Sequence, residues 1–288
     1  MRKTLFFATL AILFSMTCFM TSCTQEQLTT DSDLVISAGN ETQASSISDD
    51  VINVSDEYTT GLAQNGYKIS SSAMKVSGIT SISTVTITID KPDSVNFPKV
   101  ITIDFGTSGF TGRRGNVYKG KLIITISNKL TIANAYYSIK TSNFYVNDNK
   151  VGGVKTVTYK GLINVTHPYW TIVTKDTITR TDKTVVTWAS ERVRERLEIN
   201  GTPLIPWDDT FSIKGNAKGI NSKGSTYSMV IDNSNPLIVG NLCPYIRKGT
   251  VTITENTKSV VIDYGNGDCD DLATATYNGI TKTFKLNN

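Results

Sequence analysis

The sequence predicts an all-β protein, an antiparallel meander sheet or sandwich, and three observations carry that expectation. Apolar residues alternate with polar ones at a period of two. Thr, Val, Ile and Tyr dominate the alternating runs, and Gly, Asn and Asp separate them. No convincing amphipathic helical pattern stands out after residue 22. Together these point to strands joined by tight turns around one core.

The runs follow in order. In Thr84-Val85-Thr86-Ile87-Thr88-Ile89-Asp90, Val85, Ile87 and Ile89 share one face and the threonines the other. The same alternation returns in 99–105, 121–127, 169–174 and 250–254. Runs 177–180 and 184–188 flank Thr181-Asp182-Lys183 and read as a hairpin. The β-rich body is expected to be a single domain over residues 68–288.

The body carries an internal echo. Ile103-Asp104-Phe105-Gly106 and Tyr118-Lys119-Gly120 map onto Ile262-Asp263-Tyr264-Gly265 and Tyr277-Asn278-Gly279 at a constant offset of 159. Upstream, residues 84–88 match 250–254 at an offset of 166. The reading is a duplicated unit at the two ends of the sheet: strand, turn, strand ending in Asp-aromatic-Gly, polar loop, strand.

The N-terminus predicts the compartment. Arg2 and Lys3 precede an apolar run from Leu5 to Met20, then Met20-Thr21-Ser22-Cys23. The pattern reads as a lipoprotein signal peptide over 1–22, with Cys23 as the acylated residue. The expected location is the outer membrane, held by lipid, with the membrane face left open. Export makes nucleic acid a poor partner.

Charge is divided unevenly. From Thr24 to Tyr67 there are eight carboxylates and no Lys or Arg, whereas 27 of the 29 basic residues lie from Lys68 onward. That acidic stretch is rich in Ser, Thr and Gln and poor in aromatics. It is therefore expected to be a disordered tether over 23–67. The basic body is a candidate for anionic envelope polymer, though its own acidic segment offsets part of that charge.

After Cys18 and Cys23 are set aside, Cys243 and Cys269 remain. An even pair in an oxidising compartment predicts a disulfide. The first copy has Ser77 and Phe110 at the matching positions, so it lacks both members together.

The Asp-aromatic-Gly strand ends, Lys119-Gly120-Lys121, Trp188-Ala189-Ser190-Glu191-Arg192 and Asp263-Tyr264-Gly265-Asn266-Gly267-Asp268-Cys269-Asp270 resemble a Bacteroidota-type family of cell-envelope lipoproteins of uncharacterised function. The resemblance spans most of the body. It implies an envelope location and transfers no catalytic residue.

Candidate sites are few. Arg192, Arg194 and Arg196 share one strand face beside Trp188, a set suited to carboxylates, phosphates or sugars. The competing reading pairs those arginines with Glu191, Glu195, Glu198 or neighbouring strands. Asn266, Asp268, Asp270 and Asp271 could wrap Ca²⁺, but Asp271 stands where an EF-hand loop needs glycine. A self-capped turn is the alternative. Asp104 and Asp263 could serve as the acid and base of a glycan hydrolase if the two copies face each other. His167 is the one histidine, and no nucleophile elbow accompanies it. Arg113-Arg114 could contact an anionic polymer. Asp93-Ser94-Val95 and Asp176-Thr177-Ile178 resemble short O-glycosylation sites. Trp170, Trp188 and Trp207 could stack on sugars. The expectation is a non-catalytic binding or scaffolding protein, with glycan or another envelope component as ligand. A hydrolase or a structural, adhesive role is the alternative.

Overall fold

The computed structural model describes residues 32–64, 66–67, 85–163, 166–198, 209–240 and 243–286. Residues 1–22 and Cys23 lie outside them, as do Trp207 and the start of the acidic segment. The described chain opens with one helix, α1 (Ser32–Gln64). The rest is sheet, as the alternation predicts. The strands are β1 (Thr86–Ile89), β2 (Lys99–Asp104), β3 (Phe110–Thr111), β4 (Val117–Ile126) and β5 (Tyr136–Val146). Then come β6 (Asn149–Ile163), β7 (His167–Thr179), β8 (Val185–Glu198), β9 (Thr210–Ile220) and β10 (Thr226–Ile231). Last are β11 (Leu237–Gly240), β12 (Cys243–Glu255), β13 (Lys258–Asn266), β14 (Leu272–Tyr277) and β15 (Ile280–Lys285).

All fifteen strands form one sheet, and every recorded pairing is antiparallel. The path runs β1-β2-β4-β5-β6-β7-β8-β9-β10-β12-β13-β14-β15, with β3 beside β4 and β11 between β9 and β12. Strands β10 and β11 both pair with β9 and with β12, so they act as one strand interrupted around Pro236. The predicted hairpin at Thr181-Asp182-Lys183 joins β7 to β8. The Asp182 carboxylate accepts from the Thr184 N–H at 2.9 Å, and Lys183 takes a positive φ.

The acidic segment corrects the expectation. Residues 32–64, read as part of a disordered tether, form α1, which packs against β5, β7, β8, β10, β12 and β13. Ala44, Ile47, Val51, Val54, Tyr58 and Leu62 recur at steps of three and four and are all buried. They form a narrow apolar stripe of the helical period. Its polar neighbours are buried too: Ser37, Asn40, Glu41, Ser48, Asp50, Ser55 and Thr59. Composition alone misjudged the segment because its carboxylates are matched by groups on the sheet, which removes the cost of burying them unpaired.

The sheet curls round this helix. Tyr58 of α1 meets Phe105 edge-on at 6.0 Å, and Phe105 in turn touches Phe110, Tyr118 and Phe144. This aromatic cluster closes one side of the interior. Curvature has a local cause at Gly120. The β4–β5 register shifts there, φ is 81°, and an added Cβ would lie 1.9 Å from the Asn143 carbonyl oxygen. A bulge of this kind bends and twists the strand that holds it.

The two Asp-aromatic-Gly corners sit toward opposite ends of the strand path and share a local form. Asp104 and Asp263 each accept the N–H of the glycine two residues on, at 2.9 and 2.8 Å, and both glycines have positive φ. The strands before them are also antiparallel partners. The register pairs Ile87 with Ile103 and Val251 with Ile262, two residues off the sequence match of Val85 with Val251. Beyond the corners the likeness ends. Tyr118-Lys119-Gly120 lies within β4, whereas Asn278-Gly279 forms the β14–β15 turn.

Candidate functional site

The arginine strand faces inward. Along β8, Trp188 and Arg192 are buried, with 2% and 3% of their surface exposed, and Arg194 and Arg196 follow on the same face. Their partners come mainly from α1. Arg192 Nη1 donates to Asp49 Oδ2 at 3.0 Å, and its Nη2 donates to Ser45 Oγ at 2.9 Å. Arg194 Nη2 donates to Asp56 Oδ2 at 2.9 Å. Tyr137 OH of β5 also donates to Asp56. Trp188 Nε1 donates to Glu41 Oε2 at 2.7 Å. Arg196 pairs with Asp209. The sequence correctly placed three arginines on one face. It offered them to a ligand or, as the alternative, to Glu191, Glu195, Glu198 or neighbouring strands, whereas Arg192 and Arg194 meet helical aspartates.

Stacking and burial tune these groups. Arg192 lies 5.0 Å from the Trp188 ring centroid, and Arg194 lies 5.4 Å from Trp170 and 5.1 Å from Phe211. Burial alone would lower the Arg194 pKa, but Asp56, Tyr137 and Asp49 together outweigh it and raise the value. Desolvation raises the Glu41 pKa against the opposing pull of Arg192 and Trp188. Arginines held this way are committed to the helix, not presented to the outside.

Between α1 and the far half of the sheet lies a cavity of ≈ 170 Å³. Its sheet wall is apolar, with Ile213, Met229, Leu237, Val239, Ile246 and Val251 from β9 to β12. Its helix wall is polar, with Thr42, Ser46, Asp49, Asn53 and Asp56 repeating on one face of α1. Arg113 and Arg114, between β3 and β4, and Leu286, after β15, also line it. Residues from both ends of the strand path thus meet around one space.

The remaining candidates take structural roles. The Asp104 carboxylate is held below its ordinary pKa by Lys121, 2.9 Å away, and by the Gly106 N–H. Asp270 accepts the Leu272 N–H at 2.8 Å, and Asp271 pairs with Lys285 at 2.8 Å. Among the described residues no group of three or more His, Cys, Asp or Glu side chains is arranged to hold a metal ion. His167 Nδ1 lies 2.9 Å from Glu195 Oε1 across β7 and β8. Of the two short glycosylation patterns, Asp93 holds the Val95 and Asn96 N–H groups in an exposed turn. Asp176 is instead buried in an ion pair with Lys155 at 2.7 Å. The predicted disulfide is present, joining Cys243 on β12 to Cys269 after β13, with Cα atoms 5.7 Å apart.

Sequence reasoning missed α1 and the cavity it creates. The signal for the helix was the 44-47-51-54-58-62 apolar spacing, and no sequence signal marks the cavity. No protein-family model matches the chain, no curated protein matches its sequence, and no solved structure matches its fold.

Proposed function

We propose that the protein is a non-catalytic binding protein of the cell envelope, anchored in the outer membrane through lipid on Cys23 and similar in kind to the lipoproteins of Bacteroidota. The observation that carries the binding role is the cavity, a space with one apolar and one polar wall between the helix and the sheet. Native interiors are close-packed, so such a space in the middle of a core has the form of a ligand site. The sequence suggested a glycan or another envelope component, and the apolar sheet wall favours a component with apolar character over a glycan. Trp188 is buried and bonded to Glu41, and Trp170 is packed among Tyr159, Phe211 and Arg194, so neither offers a ring face to sugar.

Two measurements test the proposal. Radiolabelled palmitate should enter the wild-type protein and not Cys23→Ala, and the variant should leave the membrane fraction. Native mass spectrometry of protein purified without detergent should show a one-to-one adduct that organic solvent removes. Labelling that persists in Cys23→Ala overturns the anchor. A protein that carries no adduct and binds nothing from an envelope lipid extract overturns the binding role.

A further inference from the structure

The binding role leaves the ligand open, and the walls of the cavity narrow it. The apolar wall runs across β9 to β12, through Ile213, Met229, Leu237, Val239 and Val251, and the hydroxyl-bearing side chain on that stretch of the lining is Tyr245 on β12. A volume near 170 Å³ compares with about 150 Å³ for an apolar cavity that stays dry and admits benzene. It encloses a hydrocarbon segment of about six carbons. A sugar ring placed there would leave the hydroxyls on its sheet-facing side against methyl groups, unpaired.

The charged groups lie elsewhere, and they are graded. Asp49 and Asp56 are neutralised by Arg192 and Arg194 in the interior. Nearer the surface, the exposed charged residues of the lining are Arg113 and Arg114. Arg113 leans on Glu57 at 3.4 Å. Arg114 acts on Asp50, which is 5% exposed and whose Oδ2 has no hydrogen-bond partner among the described residues. Burial raises the pKa of both Asp50 and Glu57, which weakens their claim on the two arginines. The outermost charge that a ligand meets is therefore cationic, and a buried polar atom beside it lacks a partner. An apolar slot with arginines at its mouth matches a molecule with a hydrocarbon tail and an anionic head.

We infer that the cavity binds a single-chain anionic amphiphile, its tail against β9 to β12 and its head at Arg113 and Arg114. This rests on the binding role proposed above. The shared chemistry fits a free fatty acid and a lysolipid phosphate alike.

The test uses the chain from residue 23 with Cys23→Ala, which needs no detergent. Decanoate and decyl phosphate are titrated by isothermal calorimetry, and the tighter of the two identifies the source. Decyltrimethylammonium and decyl glucoside serve as head-group controls. Decanoate or decyl phosphate should bind one per chain and at least about tenfold tighter than the cationic control, as expected for a charge-assisted contact. Lengthening the chain should tighten binding roughly fourfold per enclosed methylene and then level off. Val239→Phe and Ile246→Trp, at partly buried lining positions, should each abolish binding while far-UV circular dichroism stays that of wild type. The double variant Arg113→Gln, Arg114→Gln should weaken the anionic ligands and leave decyl glucoside unchanged. Equal affinity for the cationic and anionic amphiphiles overturns the inference, as does full binding by both filled variants. If neither anion binds while native mass spectrometry still shows an adduct, the ligand class falls and the binding role stands.

Discussion

The interior on either side of α1 is built in two ways. Toward β2 to β5 it is filled by rings: Tyr58 and Phe105 meet at 6.0 Å, and Tyr118 and Phe144 stack at 6.1 Å. Toward β9 to β13 it holds aliphatic side chains, a cavity and a line of arginine–carboxylate pairs. The first region resembles an ordinary core, where every atom has neighbours and shape fixes the fold. The second is held by directed polar contacts that keep two walls apart. The difference shows that one helix can be packed on one face and propped on the other, and the propped face is where the cavity arises.

That contrast can be broken from either side. Phe144→Ala on the packed side should cost about 3–5 kcal/mol, because the void left among rings cannot refill. Arg192→Ala on the propped side should cost a similar ~3–5 kcal/mol for a different reason, since it leaves the buried Glu41 and the partly exposed Asp49 without their cation. Urea unfolding followed by circular dichroism measures both. Arg192→Lys should restore little, because one ammonium cannot reach both Asp49 and Ser45. Reducing Cys243–Cys269, which closes a 26-residue separation, should cost roughly 3 kcal/mol and loosen the β12 edge of the cavity. An unchanged urea midpoint in dithiothreitol would count against that.

Acidity should sharpen the same comparison. Glu41, Asp50 and Asp176 all have raised pKa values, with desolvation as the main cause. Arg192, Trp188, Tyr227 and Asp49 face Glu41. Tyr118, Asn116, Arg114 and Asp49 face Asp50. The folded chain holds protons on these acids that the unfolded chain has released, so stability falls as pH rises through their folded values. The melting temperature should therefore rise as the pH is lowered toward the ordinary values of these acids, 4.5 for Glu41 and 3.8 for Asp50 and Asp176, and Glu41→Gln should flatten the rise. Exposed Asp93, Asp182 and Asp232 are shifted down by turn hydrogen bonds, and their contribution is lost only below the ordinary aspartate value of 3.8. The smallest effect belongs to Val239→Ala. It already faces open space, and its loss should stay under about 1 kcal/mol.

Much of the sheet was legible in the sequence because its signals are local. Alternation marks a strand whether or not its partners are known, and Asp182 or Asp104 caps its turn within two residues. The disulfide was legible from cysteine arithmetic. The helix was not, since an acidic, serine-rich segment lacks the apolar content that usually signals folding. Its stability comes from Arg192 and Arg194, whose bonds to α1 span 143 and 138 residues. The arginine face was read correctly as a face. Which way it pointed depended on α1, so the site stayed hidden with the helix. The matched 159-residue offset likewise described two corners correctly and failed for the strands beyond them, where hydrogen-bond register decides.

Placing α1 inside the curled sheet also sets an order of events during folding. The helix is made first, yet the groups that hold it arrive more than a hundred residues later. Contacts so distant in sequence are slow to close. Until β8 is in place, the early segment has little reason to stay wound, so the new chain spends its first moments as an unpaired acid and an unpaired base searching for each other.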